Sequence, residues 1–329
     1  DLWNRDTPRG IKLFIQRVFI MDDAAHFLPL YLRFIKGVVD SSDLPLNVSR
    51  ELLQDHPLVD SIKKGLTKRV LDTFKKLQKD KPEEYEKFWK EFGLVIKEGP
   101  AEDYENSESI AELFLFSSTA SESNDLNTTF DQYIERMKKG EDKIYYSIAD
   151  SYEAAANSPH IEHLKTENTE VLLLTDRIDE WLMSTLMQFK GKNLVNVAKE
   201  ELSDTEKKPK ATKKNQEIID KMKKALEGKV SDIIPSSRLV DSAACLVLSK
   251  DEPGIQLKRI LEASGQTFGD SKPMFEINLK HKLIKKLGSM SGKEFSNFSQ
   301  FLFDYAVIAE GGSPKDPSKY LRQLDKYLG

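Results

Sequence analysis

The stretch KIYYSIADSYEAAANSPHIEHLKTENTEVLLLT, residues 143–175, decides the fold class. Its two apolar runs, KIYYSIA and TEVLLLT, have the length and composition of buried strands. The residues between them, 151–168, are expected to form a helix with Ser158 as an N-cap and Pro159 at its first position. A strand, a helix and a strand of this length predict two parallel strands with a right-handed crossover. Because no glycine-rich loop follows the first strand, this unit is not predicted to bind a nucleotide.

The segments before this unit are predicted to be mostly helical. They comprise one strand, IKLFIQRVFI (11–20), an amphipathic helix over 22–39 that contains Pro29, helices across 49–97 and a short helix over 108–119. Pro82 suits a first helical turn, and Gly93 and Gly99 are expected to mark helix ends.

The segments after the unit alternate between helix and strand. DRIDEWLMSTLMQF (176–189) is predicted to be a helix, and the polar, lysine-rich stretch 200–215 contains the predicted linker. Beyond it we expect a helix over 215–230, a strand within 238–249, a helix over 254–265, a strand and a helix within 273–288, and helices over 293–312 and 316–329. The predicted fold class is therefore α+β, a mixed α/β chain.

Composition indicates a globular protein with a heavily charged surface. The chain has 329 residues, of which 39% are hydrophobic and 32% charged, and this length predicts two or three domains. No apolar run approaches the ~20 residues of a membrane span. The single cysteine, Cys245, excludes an internal disulfide and fits a reducing cytosol; its apolar surroundings predict a buried, inert thiol.

The sequence carries no complete catalytic motif. It has no P-loop, no G-x-S-x-G elbow, no paired cysteines and no H-E-x-x-H. His160 and His163 lie one turn apart, and without further ligands nearby they are predicted to be a surface pair rather than a metal site. The chain alone is therefore interpreted as an interaction scaffold.

Several long segments resemble one family, the ninety-kilodalton heat-shock protein chaperones of the bacterial HtpG type. They cover most of the chain and are IKLFIQRVFIMDDAAHFLPLYLRFIKGVVDSSDLPLNVSRELLQ, FGLVIKEGPAEDYENSESIAELFLFSST, KIYYSIADSYEAAANSPHIEHLK, EVLLLTDRIDEWLM and SSRLVDSAACLVLS. The resemblance implies a middle domain followed by a C-terminal dimerisation domain, with an N-terminal ATP-binding domain that has no counterpart in these residues.

The resemblance also implies domain limits. Residues 1–205 would be the middle domain, consisting of the end of a large αβ part (1–98), a helical connector (99–122) and a small βαβ part (123–205). Residues 206–215 would be the linker and 216–329 the dimerisation domain.

In the family, a loop of the middle domain reaches the nucleotide of the N-terminal domain. The matching positions are Arg50, expected to contact the γ-phosphate, and Gln54, expected to support the catalytic arrangement. ATP with Mg²⁺ would bind only in the full-length protein, and this fragment alone is predicted to have no ATPase activity.

The resemblance further implies surfaces for unfolded client proteins and for a second copy of the chain. The client-binding residues would be Glu180, Trp181, Leu257, Ile260 and Leu261. The dimer interface, on apolar stripes of the last two helices, would comprise Phe298, Leu302, Tyr305, Ile308, Tyr320, Leu321, Leu324 and Leu328. For both sets, ordinary core packing is the alternative.

Two other function classes stay open: a complete ATPase, which would apply to the full-length protein and not to this fragment, and a nucleic-acid-binding scaffold. Residues 206–329 hold 23 Lys and Arg against 16 Asp and Glu, a net +7, so the rest of the chain carries −11. However, these lysines alternate with acids along helices, which favours a solvated surface. We therefore expect a cytoplasmic homodimeric chaperone with its own ATPase domain, clients and co-chaperones as partners, and no nucleic acid, membrane or metal.

Overall fold

The computed structural model describes residues 10–22, 27–44, 57–121, 123–199, 212–249 and 272–328. It confirms the α+β fold class and divides into two compact units. The first unit consists of residues 1–115, 126–135 and 182–191, and the second of residues 116–125, 136–181 and 192–329. Residues 206–211 of the predicted linker lie outside the described residues, and the predicted limits of the family's domains stay a prediction.

Strands and helices alternate irregularly along the chain. The strands are β1 Ile11–Ile15, β2 Val18–Met21, β3 Gly37–Ser41, β4 Ser117–Ser118, β5 Lys143–Ile148, β6 Val171–Leu174, β7 Gln188–Phe189, β8 Lys192–Asn196, β9 Ile233–Pro235, β10 Ala244–Val247 and β11 Met274–Ile277. The α-helices are α1 Pro57–Asp80, α2 Pro82–Ile96, α3 Gly99–Glu102, α4 Ser107–Ala111, α5 Phe130–Arg136, α6 Tyr152–Ala156, α7 Glu162–Thr166, α8 Asp179–Thr185, α9 Lys213–Ala225, α10 Lys282–Leu287, α11 Gly292–Ala309 and α12 Pro317–Leu328.

The first unit begins with a hairpin where the sequence predicted one strand. β1 and β2 pair antiparallel, and Gln16 and Arg17 form the turn with φ of 49° and 65°. A two-residue hairpin turn with both residues in the left-handed region usually carries asparagine or glycine. Neither residue is present here, so the sequence gives no turn signal, and the prediction of a single strand over 11–20 was wrong.

The predicted helix over 22–39 was also wrong within the described residues. Pro29 is extended, with φ −67° and ψ 162°, and only a 3₁₀ turn, Leu30–Leu32, follows it. The end of the segment enters β3, which pairs in parallel with β1 and sets Leu13 beside Val39. Two consecutive valines favour a strand once a partner strand lies next to them.

Helices α1 and α2 form an antiparallel pair that is held by aromatic rings. Phe34 stacks on Phe92 with ring centroids 4.4 Å apart, and Phe74 lies 4.6 Å from Phe88. Such pairs add roughly 0.5–1.5 kcal/mol each beyond the area they bury. Pro82 is at the start of α2, as predicted.

Gly93 lies inside α2 and does not mark its end, which corrects the prediction for this residue. A Cβ at Gly93 would lie 2.7 Å from the Trp89 ring, whose side chain is 3% exposed. The glycine therefore lets the indole fold back along the helix. Gly99 is the first residue of α3. A Cβ at Gly99 would lie 3.0 Å from Ile110, so this glycine is also closely packed.

The second unit contains the strands of the predicted strand–helix–strand segment. β4, β6, β5 and β8 lie side by side in that order, and β5 is parallel to both β6 and β8. The predicted parallel pairing of β5 and β6 is confirmed. The single helix predicted between them is instead α6, a 3₁₀ turn at Pro159–Ile161 and α7.

The break between α6 and α7 follows from the capping residues. The Ser158 hydroxyl accepts the His160 N–H at 3.3 Å, and Pro159 takes the first position of the turn, as predicted. A new N-cap inside the segment ends α6, because the residue before a proline is disfavoured in helical geometry.

The C-terminal part of the second unit packs three strands against helices. β11 pairs antiparallel with β10 and in parallel with β9. The helices predicted over 215–230, 293–312 and 316–329 correspond to α9, α11 and α12, and the strand and helix predicted within 273–288 correspond to β11 and α10. Their shared core is apolar and includes Met222, Leu226, Phe275, Ile277, Ile284, Phe298 and Leu302.

We expect Gly93→Ala to destabilise the protein and Gly65→Ala, its control in α1, to stabilise it. Gly65 has nothing within 4 Å of a built Cβ, so alanine there should add about 0.5–1 kcal/mol by lowering backbone entropy. At Gly93 the clash with Trp89 should outweigh that gain by about 1–3 kcal/mol. Urea unfolding of both variants measures this, and equal stabilisation by both would contradict it.

Candidate functional site

Five of the predicted site residues lie outside the described residues. They are Arg50, Gln54, Leu257, Ile260 and Leu261. The predicted helix over 254–265 lies outside them as well.

Glu180 and Trp181 are in the first turn of α8. The buried Asp179 fixes this turn, since its carboxylate accepts the Asp176 N–H at 2.9 Å and its own N–H donates to the Asp176 carbonyl at 3.0 Å. Glu180 and Trp181 are both half-buried. The helix ends at Thr185, earlier than predicted, and Gln188–Phe189 forms β7.

A buried arginine, Arg238, connects the parallel strands of the second unit to its C-terminal part. Its Nη1 donates to the Val197 carbonyl at 2.6 Å, and its Nε donates to Glu276 Oε2 at 3.1 Å. Arg238 is 4% exposed and Glu276 2%. Glu276 Oε2 also accepts the Ser236 hydroxyl at 2.7 Å. Two charges buried this deeply cost several kcal/mol in lost hydration and are stable only because they are paired.

His160 belongs to the same network, so the predicted surface pair of histidines was wrong. Its side chain is buried, whereas that of His163 is exposed. Arg238 Nη1 lies 3.4 Å from His160 Nδ1, and because arginine only donates, Nδ1 accepts. Nε2–H therefore donates to Glu310 Oε1, 2.7 Å away.

Glu162 makes a second connection between the same two parts. Its carboxylate accepts the backbone N–H groups of Val240, Asp241 and Ser242 at 2.6–3.2 Å. The Ser242 hydroxyl donates to the same group. Successive backbone N–H groups pointing at one carboxylate form an anion-binding nest.

Neither Arg238 and Glu276 nor Glu162 and Glu310 were predicted from the sequence, and His160 was predicted to lie on the surface. One signal was available: in MFEI, Glu276 interrupts an apolar run that β11 buries, and a charge at such a position requires a buried partner. The partner itself, Arg238, lies 38 residues earlier, and no spacing rule connects the two.

Helix α12 packs on α11 through aromatic rings, and this moves two predicted interface residues into the core. Tyr320 stacks on Phe301 at 5.2 Å, and Tyr327 meets Phe298 edge-on at 4.7 Å. Phe298 and Leu302 have no exposed surface within a single chain. These two side chains are thus buried by their own chain, and their assignment to the dimer interface stays a prediction.

The other predicted interface residues keep exposed surface. Ile308 is 41% exposed and Leu321 57%, while Tyr305, Tyr320 and Leu324 are half-buried. The side chain of Leu328 lies outside the described residues. An apolar surface thus remains on α11 and α12.

Three further expectations concern absent chemistry. Cys245 is fully buried, as predicted, and burial raises the pKa of its thiol well above the usual value. Within the described ranges, no three histidine, cysteine or acidic side chains converge as metal ligands. In the same part of the chain, no helix combines the length and apolar character that a membrane span needs.

Comparison with known proteins identifies the family. The family model described as "Hsp90 protein" matches residues 1–329. The chain is 47% identical over 337 residues to "Chaperone protein HtpG" of Shewanella denitrificans, covering 100% of the chain and 53% of that relative. The chain thus spans about half the length of the curated relative it matches. It belongs to the Hsp90 protein family and is of the bacterial HtpG type.

Proposed function

We propose that this chain is the middle and C-terminal part of an ATP-dependent molecular chaperone that binds partly folded client proteins and acts in the cytoplasm. The observation that carries the proposal is the family match over the whole chain. The sequence contributes no complete catalytic motif, which fits a part that holds clients while another domain hydrolyses ATP. A nucleic-acid-binding scaffold remains the alternative. Affinity for nucleic acid that falls steeply as the salt concentration rises would identify it.

Clients are proposed to bind at the start of α8. Glu180 and Trp181 keep part of their surface accessible, and the hydrogen bond from the Asp176 N–H to Asp179 holds the turn that carries them. A half-buried indole beside a carboxylate offers a large apolar area and an adjacent charge. Leu257, Ile260 and Leu261 would extend this surface.

We expect Trp181→Ala to weaken client holding by about fivefold or more, since truncating an interface hot spot costs about 1 kcal/mol or more. Light scattering of a heat-unfolded client, with and without the chain, measures the suppression of aggregation. The control is Tyr104→Ala, which removes an aromatic side chain that is 89% exposed at another place. Equal suppression by the wild type and Trp181→Ala, or no suppression by the wild type, would contradict the proposal.

A homodimer is proposed to form through the apolar surface that α11 and α12 leave exposed. Pairing two such helices from each of two chains gives a four-helix bundle around a twofold axis. Tyr305, Ile308, Tyr320, Leu321 and Leu324 would supply the contacts, with Leu328 at the end of α12.

We expect a solution mass near twice 37.6 kDa, falling to the monomer in Leu321→Glu, because a carboxylate would be buried without a partner in the bundle. Multi-angle light scattering over a concentration series measures it. Leu58→Glu, at an exposed leucine of the first unit, is the control and should stay dimeric. A monomeric wild type at every concentration would overturn the dimer.

Arg50 and Gln54 are proposed to complete an ATP site on the N-terminal domain of the full-length protein. Phosphoryl transfer depends on positioning and charge stabilisation, and the planar guanidinium matches phosphate oxygens. This chain by itself would then bind no ATP with Mg²⁺.

In the full-length protein we expect Arg50→Ala to lower ATP turnover by about 10³-fold, the low end for an arginine supplied to a phosphoryl-transfer site. Lys79→Ala, which removes an exposed cation at the end of α1, should leave turnover unchanged. Phosphate release measures both, and undiminished turnover in Arg50→Ala would rule out the assigned role. The chain alone should release no phosphate.

A further inference from the structure

Residues 277–293 form a basic stretch in the C-terminal part of the second unit. They contain five lysines and no aspartate or glutamate. On α9 and α12, by contrast, basic residues are interspersed with acids. All five lysines of the stretch are exposed, and they are Lys280, Lys282, Lys285, Lys286 and Lys293.

The packing of α10 sets three of these lysines on one side of the helix. Ile284 and Leu287 are each 1% exposed and belong to the core that α10 shares with α9 and α11. Lys282 lies three residues before Lys285 and four before Lys286, so these side chains are neighbours on the helix surface. Like charges at such spacings repel one another and destabilise a helix.

The stability of α10 explains only two of the lysines. Lys285 and Lys286 are in its last turn, where the carbonyl groups carry a partial negative charge that favours cations. Lys282 is at the opposite end of the helix, where a cation is unfavourable, and Lys280 precedes the helix. The cluster as a whole therefore has a cost that the fold does not repay.

Two neighbouring helices add further lysines around α10. A Cβ built on Gly288, just after α10, would lie 3.7 Å from Cε of Lys214 in α9. Lys286 Nζ lies 5.7 Å from the centre of the Tyr327 ring, and Lys326 Nζ in α12 lies 5.5 Å from the same point. Two ammonium groups thus approach one aromatic ring. We define the basic face as Lys214, Lys280, Lys282, Lys285, Lys286 and Lys326.

Within the described residues, no ion pair neutralises the basic face. The lysine and arginine ion pairs in the C-terminal part are those of Lys223 with Asp232 and of Arg238 with Glu276, which lie outside it. Glu294, in the first turn of α11, is exposed and also makes no ion pair in the described part of the chain. The charge of the basic face is therefore available to an anionic partner.

The other side chains of the stretch favour a polypeptide over nucleic acid or a membrane. Residues 277–293 contain no aromatic residue on which a base could stack. None of the exposed large apolar side chains of the described residues lies in this stretch, so it offers no group that would insert into a bilayer. Lysines are flexible point charges, which suit carboxylates at irregular spacing along an unstructured chain. Half-buried Leu283 and Met290 add apolar surface for the aliphatic parts of such a chain.

We propose that the basic face binds an acidic, unstructured segment of a partner polypeptide. The inference goes beyond the proposed function, because this surface uses neither Glu180 nor Trp181 and needs no apolar client. Bound carboxylates would relieve the repulsion between the lysines, so binding and the stability of α10 would support each other.

The test uses the whole chain and two fluorescein-labelled peptides, one of alternating glutamate and serine and one of alternating glutamine and serine. Fluorescence anisotropy at low ionic strength should show about tenfold tighter binding of the glutamate peptide, and this preference should weaken as salt is added. Equal binding of the two peptides, or no binding of either, would overturn the inference. Tighter binding of a single-stranded oligonucleotide of the same charge would assign the face to nucleic acid and overturn it as well.

The variant Lys282→Gln with Lys285→Gln locates the binding on the basic face. Neither lysine contacts the Tyr327 ring, and the variant should bind the glutamate peptide about fivefold more weakly. The arginine variant, Lys282→Arg with Lys285→Arg, keeps both charges and should bind as the wild type does. Equal affinity of the glutamine variant and the wild type, or an equal loss in the arginine variant, would overturn the inference.

The control is Lys87→Gln with Lys139→Gln, which changes net charge equally at two exposed lysines elsewhere. It should bind the glutamate peptide as tightly as the wild type, and an equal fall in the control would show a general charge effect and overturn the inference. Suppression of client aggregation should be unchanged in the variant Lys282→Gln with Lys285→Gln, because Trp181 is untouched. The failure of this inference is thereby distinguished from the failure of the proposed client-binding turn.

Discussion

The buried pair of Arg238 and Glu276 is the constraint on which the second unit depends. Arg238 reaches the carbonyl of Val197 beyond β8, and Glu276 projects from the middle of β11. Burying both charges is costly, and the cost is offset only when all of their partners are in place. A shift of β11 by one residue would turn Glu276 to the opposite face of the sheet and leave Arg238 without its carboxylate partner. The pair therefore fixes the register of β11 and the position of the parallel strands at once.

Arg238 and Glu276 belong to a larger polar network with His160 and Glu310, here called the polar junction. This junction is connected to the proposed chaperone function. His160 extends the network from Arg238 to Glu310, and Glu310 and Glu180 both line a small pocket at the carboxyl ends of β5 and β8. Glu310, at the end of α11, accepts the His160 N–H, so a change there would alter stability, whereas Glu180, in the first turn of α8, belongs to the proposed client-binding turn.

Local patterns predicted much of this fold, and non-local pairing accounts for most of the errors. The Ser158–Pro159 cap, Pro82 at the start of α2, and the strands of residues 143–175 follow from short-range preferences, and all are confirmed. The segment over 22–39 was misassigned because β3 forms only when β1 lies beside it. Gly93 was predicted to mark a helix end. Nothing in the sequence shows that the Trp89 ring occupies the space where a side chain at position 93 would lie. At the candidate site, Glu276 within MFEI was the one sequence signal of a buried charge, and the partners in this network could not be predicted because they lie 38 to 150 residues apart.

Those separations have a consequence for how the chain acquires its structure. β5 and β6 are joined by one crossover and can pair early, but Arg238 meets its partners across 38, 41 and 78 residues, and His160 meets Glu310 across 150. Closing loops of that length delays folding, since their entropy must be lost before the contacts form. During synthesis on the ribosome, the guanidinium of Arg238 lacks its carboxylate partner until residue 276 has emerged, and the imidazole of His160 lacks Glu310 until residue 310 has emerged. The contact between His160 and Glu310 therefore joins early and late parts of the chain only after most of it has been synthesised.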